Sequence, residues 1–391
     1  MKCIAITELD RVPADSWNQL AGGRNPFVRH EFLGALERND CLGARRGWQP
    51  RHLLVLDNGE VVGALPQYVK SHSYGEFVFD WSWAEAYAQA GIPYYPKLVA
   101  AVPYTPVTGP RLLAKSGADA SAIKRTLIEA ALAYAQREKL SSAHWLFTGQ
   151  DDTAGLVDTG LLSRTGCQFH WFNQGYRDFT DYLDSLNSKR RKQIKRERRD
   201  VARAGITVDI LSGRKITPSL WATYERFYRS TFDRKWGAAS LTLGFFQALG
   251  ATLADTVVLV LARQRQQPVA AALCLRGSDT LYGRHWGAAA YYPSLHFELC
   301  YYQTIDYCIR HGLARFEAGA QGEHKVSRGF QPVLTSSAHW IADRRLRRAI
   351  ADFVAREHAA VVRHIEHLRE HLPFKQPLHP GAPGSRPEDT C

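Results

Sequence analysis

The sequence predicts an α+β fold (α/β mixed) built twice in tandem, each copy a mixed sheet flanked by helices. Three observations carry this expectation. The chain is 391 residues long, more than one ordinary core organises. Strand-like and helix-like stretches follow the same order in both halves. Short segments also recur at near-constant distance: Tyr94-Tyr95-Pro96-Lys97-Leu98 is answered by Tyr291-Tyr292-Pro293-Ser294-Leu295, Ser-Ser-Ala-His-Trp occurs at 141–145 and 336–340, and a strand pair followed by an aromatic strand ends at Trp83 and again at Trp286. Near-equal offsets are what a duplicated domain leaves behind.

The elements follow in order. Asn25-Pro26 reads as an N-cap with Pro at the first helical position, and Phe27, Phe32, Leu33 and Leu36 then fall at helical spacing. Runs at 52–56 and 61–69 flank Asp57-Asn58-Gly59, a strong hairpin signal. The aromatic run 77–83 reads as a further strand, and 92–113 carries five prolines, which exclude a continuous helix. A helix over 121–139 and a strand over 143–148 close the first half. In the second half, helices are expected over 218–233 and 243–253, strands over 257–263, 269–276 and 280–286, and a long helix over 294–311 ended by Gly312. A strand at 315–318 enters Gly319–Phe330, and a strand near 336–343 and a helix over 344–371 complete the chain. The Pro- and Gly-rich tail after Pro373 reads as disordered.

Composition narrows the function classes. Hydrophobic residues make up 45% and charged residues 23%, as in a soluble globular chain, and the formal charge of +12 points to acidic partners or substrates. No apolar run reaches the ~18 residues that span a bilayer, so a cytoplasmic location is expected. Seven scattered cysteines without a C-x-x-C pair support neither a disulfide framework nor a zinc site. His358, His364, His367 and His371 share the last helix, and they read as a solvated face rather than a metal site. No nucleophile elbow, P-loop or dinucleotide fingerprint is present.

Much of the positive charge is local. From Lys189 to Asp200 the residues Lys189, Arg190, Arg191, Lys192, Lys195, Arg196, Arg198 and Arg199 are basic, and only Glu197 and Asp200 offset them. Ser188 as N-cap and Gly205 as stop delimit one helix with a narrow apolar stripe of Ile194, Val201 and Ala202. Its exposed cations suit phosphates, with Lys189, Arg190, Arg191, Lys192, Lys195 and Arg196 as the candidate binding residues, or they form a solvated face.

The segments FVFDWSWAEAY (77–87), PYTPVTGPRLL (103–113), SKRRKQIKRERR (188–199), FYRSTFDRKWG (227–237), GRHWG (283–287) and FEAGAQGEHKVSRGFQP (316–332) together resemble the Fem-like branch of the GNAT acyltransferases. More closely they resemble the bacterial family grouped under peptidoglycan biosynthesis or recognition. The resemblance implies two GNAT-like domains, at 1–185 and 206–373, joined by the basic helix at 186–205 and followed by a tail at 374–391. It implies transfer of an acyl or aminoacyl group to an amine acceptor, on a cell-wall precursor. The donor stays open between aminoacyl-tRNA and acyl-CoA, with no tightly bound cofactor. A long helical hairpin, frequent in tRNA-using Fem proteins, is replaced by the single basic helix, and no Arg/Gln-x-x-Gly-x-Gly/Ala loop follows 269–276. The rival reading is a non-catalytic module that binds RNA or a phosphorylated ligand.

Acyl transfer to an amine needs a proton acceptor and positive charge where the oxyanion develops. The resemblance assigns the second role to Lys325, and Glu323 and His324 beside it are the candidate acceptors, with Arg328 assisting. Tyr282, Arg284, His285 and Trp286 end a strand expected beside this loop. Strand alternation sends Tyr282, Arg284 and Trp286 to one face and His285 to the other. Lys235 and Trp236 form a further polar cluster with Asp233 and Arg234. Asp80 and Trp83, with Trp81 and Tyr87, are a candidate wall for a sugar or peptide.

Overall fold

The computed structural model describes residues 1–233, 239–319 and 322–376. The first part of the chain forms β1 (Lys2–Ile6), α1 (Ala14–Ala21), α2 (His30–Arg38), β2 (Trp48–Pro50), β3 (His52–Asp57), β4 (Glu60–Leu65), β5 (Tyr68–Lys70), α3 (Trp81–Gln89), β6 (Lys97–Ala100), β7 (Leu113–Ala114), α4 (Ala120–Arg137), β8 (Ser142–Thr148), α5 (Gln150–Asp158) and β9 (Leu162–Phe172). It continues with α6 (Phe179–Ser185), α7 (Ser188–Arg203), β10 (Ile206–Ser212), α8 (Pro218–Asp233), α9 (Leu243–Thr252), β11 (Val257–Gln264), β12 (Gln267–Arg276), β13 (Thr280–Ala288), α10 (Leu295–Phe297), α11 (Gln303–Arg310), β14 (Arg315–Glu317), β15 (Gln331–Ile341) and α12 (Arg344–Glu370). The fold is mixed α+β. Two compact units are present, one of Met1–Cys167, Ser240–Phe245 and Leu334–His364, the other of Gln168–Ala239, Phe246–Val333 and Ile365–Cys391. Among the described residues no helix is long and apolar enough to cross a membrane.

In the first unit β1, β3, β4 and β7 form an antiparallel sheet. The β3–β4 hairpin turns at Asn58-Gly59, both left-handed (φ 48° and 86°), as the Asn-Gly signal predicts. Pro66, which has no N–H for a ladder, separates β4 from β5 within the single run expected at 61–69. The α4 helix lays Ile123, Leu127 and Ala131 against Leu53, Val55 and Leu65. A second ladder runs β15–β8–β6–β5–β2. Here the two Ser-Ser-Ala-His-Trp copies are neighbours: β15 and β8 pair antiparallel, with His339 opposite His144 and Trp340 opposite Ala143. The two copies are therefore adjacent antiparallel strands. Tyr94–Lys97 leads into a strand and Tyr291–Leu295 into a helix.

The aromatic run 77–83 is not a strand. Phe77 adopts φ 62°, which breaks extended backbone, and α3 begins at Trp81. Asn25 caps a short 3-10 turn at Pro26–Val28, accepting from the Phe27 N–H at 2.9 Å, before α2 starts at His30.

In the second unit β10, β11, β12 and β13 are antiparallel, β14 joins β13 in parallel, and the Gln168–Phe172 end of β9 borders β14. That strand was not anticipated from the sequence. Residues Val260, Ala270 and Ala272 pack with Leu295 and Leu299 on one face of this sheet. On the other, α8 lies so close that a Cβ at Gly287 would come 2.1 Å from the Phe227 carbonyl oxygen. The expected helix at 294–311 is interrupted by one π turn, Glu298–Tyr302, between α10 and α11. Asn187, not Ser188, caps α7, its side chain accepting from the Arg190 N–H, and Gly205 (φ 68°) ends it as expected.

Candidate functional site

The site of the second unit starts from a disagreement between two strands. The parallel pair β13–β14 is in register only from Thr280 to Tyr282 against Arg315 to Glu317. Beyond that point the strands part, and a cleft of about 110 Å³ opens, lined by Arg284, His285, Trp286, His296, Tyr301 and Ala318 among others. A bulge shapes one wall. Gly283 faces Cys274 and His285 faces Leu273, so Arg284 is the extra residue of the bulge and the alternation shifts by one residue. His285 packs on Tyr228 of α8, centroids 5.0 Å apart, whereas Trp286 meets His296 at 4.9 Å. The expected facing of this pair is thus corrected: the extra residue turns Trp286 away from the side that Tyr282 and Arg284 would share with it in a regular strand.

The loop after β14 supplies the polar groups. Glu323–Arg328 form a 3-10 turn between Gly322 and Gly329, both at positive φ. Lys325 is interior, 2% exposed, and its Nζ donates to the Gly319 carbonyl at 2.8 Å. Among the described residues no carboxylate lies within 4 Å of it. Burial pushes this ammonium down to about 8, with the nearby Cys300 pulling upward. His296 in the cleft wall is driven down to about 4, first by burial, then by its cationic or protonatable neighbours His324, Arg328 and Lys325. His324 is exposed, and its Nε2 lies 2.9 Å from the hydroxyl of Tyr301 in the cleft wall. Burial and the neighbouring cations lower the His324 pKa, so the ring is neutral near pH 7. Glu323 is exposed.

Arg328 is held differently from Lys325. It is 4% exposed, its Nη2 donates to both Glu197 oxygens at 3.0 and 3.1 Å, and its Nε donates to the Tyr302 hydroxyl at 2.9 Å. The guanidinium also sits 3.6 Å over the Phe297 ring, and the Tyr182 hydroxyl donates to the Arg328 carbonyl. These partners make it an anchor of the loop rather than a group presented to ligand. The π turn has a visible effect here, since consecutive Tyr301 and Tyr302 serve His324 and the Glu197–Arg328 pair respectively.

Sequence reading passed over Glu317. It is 3% exposed on β14, neither of its oxygens has a hydrogen-bond partner, and burial raises its pKa to about 7. Arg315 Nε lies 3.3 Å away and His170 Nε2 3.9 Å. Tyr282, its register partner, is buried as well. An acid in a short buried strand was the available signal, and a buried group titrating near neutrality is a mark of functional sites.

Other candidates fall elsewhere. Asp80 and Trp83 do not form a wall: both are interior to the first unit, where Asp80 accepts from Lys97 and Tyr94 and Trp83 packs on His339 at 4.9 Å. Tyr74, Phe79 and Trp81 are the exposed aromatics among the described residues there. Lys235 and Trp236 lie outside the described residues. On α7 the residues Ile194, Glu197 and Val201 are buried. Lys189, Lys192, Lys195, Arg196, Arg199 and Arg203 are exposed, whereas Arg190 bonds Gln193 and Arg191 pairs with Asp184. Positions 189, 192, 196, 199 and 203 repeat at three and four residues, which puts these cations along one outward line.

Residues 8–376 match the FemAB-like family, described as peptidoglycan biosynthesis/recognition. The chain belongs to this family. No protein with a curated description matches it. Among solved structures it is similar to FemX, at 12% identity over 90% of this chain and 100% of that one, with a TM-score of 0.53. It is similar to the C-terminal domain of a putative lysylphosphatidylglycerol synthetase from Agrobacterium fabrum, at 9% identity over 87% and 95%, TM-score 0.53. The L-PGS from Bacillus licheniformis matches at 11% identity over 88% and 96%, also with a TM-score of 0.53. At such identities the likeness is one of fold.

Proposed function

We propose that this FemAB-like protein transfers an acyl or aminoacyl group to an amine of a cell-wall precursor, in the cleft where β13 and β14 part. The observation that carries the reading is Lys325, an interior ammonium with three donors of which the described residues occupy one, through the Gly319 carbonyl. Burying a cation without a counter-charge is costly, and a site that stabilises developing negative charge is a reason to bear that cost. The amine nitrogen attacks the donor carbonyl, the new C–N bond forms, and Lys325 faces the oxyanion. The C–O bond of an ester or the C–S bond of a thioester then breaks, and the departing hydroxyl or thiol carries away the proton that the amine has lost. His324, neutral near pH 7 and bonded to Tyr301 in the cleft wall, takes the proton the amine gives up; Glu323 is exposed beside it. The family description supports a cell-wall acceptor. The outward cations of α7 support a polyanionic donor such as aminoacyl-tRNA over acyl-CoA.

The same cations favour a second reading, a binding module for RNA or a phosphorylated ligand without turnover. One experiment separates the two. The protein is incubated with aminoacyl-tRNA or acyl-CoA and a nucleotide-linked, amine-bearing wall precursor, and the acceptor is weighed by mass spectrometry. A mass gain of one acyl group supports transfer, whereas binding of donor and acceptor with no mass gain supports the module.

A further inference from the structure

We propose that the last turn of α12 is a divalent transition-metal site formed by His367, Glu370 and His371, independent of the transfer chemistry above. The three residues stand at i, i+3 and i+4, the spacing that brings side chains together on one helix face. Their ligand atoms all lie within 4.8 Å of one another, and all three residues are exposed, so an ion enters from solvent without any part of the fold opening. The face is separate from the packed one, where Ile365 and Leu368 are buried.

A second observation concerns orientation. His371 Nδ1 lies 2.8 Å from the His367 backbone carbonyl oxygen. A carbonyl only accepts, so Nδ1 carries the proton and the lone pair of this imidazole is on Nε2. Histidine ligands of metals are characteristically held this way, with the second ring N–H given to a carbonyl or carboxylate that fixes tautomer and ring direction. His367 Nδ1 lies 3.8 Å from Glu370 Oε2, and the two imidazole rings are 4.5 Å apart, so small side-chain rotations close the three donors on one ion. The C-terminal end of a helix, where the aligned peptide dipoles leave partial negative charge, favours a cation electrostatically. Two imidazoles and a carboxylate suit Zn²⁺ and its first-row neighbours over Mg²⁺ or Ca²⁺ and leave a fourth position open to water.

The test uses the untagged full-length chain, stripped with a chelator and titrated with Zn²⁺ by calorimetry and equilibrium dialysis. We expect about one Zn²⁺ per chain, with affinity lowered roughly tenfold or more in Glu370→Gln and in His371→Ala, as loss of one ligand does. Saturable binding should disappear in the His367→Ala/His371→Ala double variant. Cobalt(II) should give the visible absorption of a low-coordinate site in the wild type alone. Because the turn is exposed, circular dichroism should show the same helicity in all variants. Zn²⁺ binding that persists unchanged in the double variant, or no binding at free Zn²⁺ of about 100 μM, where any Kd tighter than that would register, overturns the proposal.

Discussion

Glu197 and Arg328 meet as a buried ion pair, with Arg328 Nη2 3.0 and 3.1 Å from the two carboxylate oxygens, and this contact joins the basic helix α7 to the loop that carries Lys325. The one acidic side chain on the buried face of α7 thus fixes the loop, while the cations of the same helix face outward. Removing one member of such a pair leaves an uncompensated interior charge. Arg328→Ala should therefore lower unfolding free energy by about 3–5 kcal/mol in denaturant titration. Arg328→Lys should recover only part of this, because an ammonium does not reproduce the fork that bonds Glu197 and Tyr302 together. A loss in Arg328→Ala no larger than that of an exposed arginine would contradict the anchoring role.

Glu317 predicts a specific dependence of stability on pH. Its carboxyl is held at about 7 in the fold, against an ordinary carboxylate value near 4 in the unfolded chain. As pH rises from about 4 to about 7 the unfolded chain releases this proton and the folded one retains it, so stability falls across that window and stays lower above it. Glu317→Gln removes the effect. Relative to wild type, the variant should gain on the order of 1–3 kcal/mol between pH 4 and pH 8. Parallel stability curves for the two proteins across that range would show that Glu317 does not titrate as described.

The outward line on α7 predicts a salt signature. For a polyanion such as tRNA, each phosphate contact adds roughly 0.7 to 0.9 to the slope of log affinity against log salt. Replacing Lys189, Lys192, Arg196 and Arg199 with Ala should flatten that slope by about 3. Because these side chains are exposed and carry no ion pair among the described residues, unfolding stability should stay within about 0.5 kcal/mol of wild type. An unchanged salt slope would leave the line a solvated face.

The sequence was most informative where local chemistry decides local structure. The Asn58-Gly59 hairpin, the Gly205 stop and the order of strands and helices in the second unit follow from turn and capping preferences that act over a few residues. The segment Gly319–Phe330 stood out through its family resemblance and its run of charged residues, of which Lys325 and Arg328 proved to be buried and Glu323 and His324 exposed. Long-range partnerships were not legible. Nothing within reach of Glu197 announces Arg328, and nothing in the Ser-Ser-Ala-His-Trp segments announces that they pair with one another. The facing of Trp286 depended on a one-residue bulge at Arg284, which periodicity does not reveal. The run 77–83 has strand composition but a left-handed Phe77, and Asp80 in it is spent on interior bonds to Lys97 and Tyr94. Glu317 was overlooked because its meaning lies in the absence of hydrogen-bond partners, a property of the packing alone.

The central claim is that Lys325 stabilises the transition state of acyl transfer, and the most direct measurement is single-turnover transfer by wild type and Lys325→Ala, with donor and acceptor affinities measured on the same proteins. Loss of the ammonium should lower the transfer rate about 10²- to 10³-fold while ligand affinities change only a few-fold. In the wild type the rate should also fall as pH rises through about 8, where Lys325 loses its charge. Equal losses in rate and affinity, or a rate in Lys325→Ala matching wild type, would contradict the account.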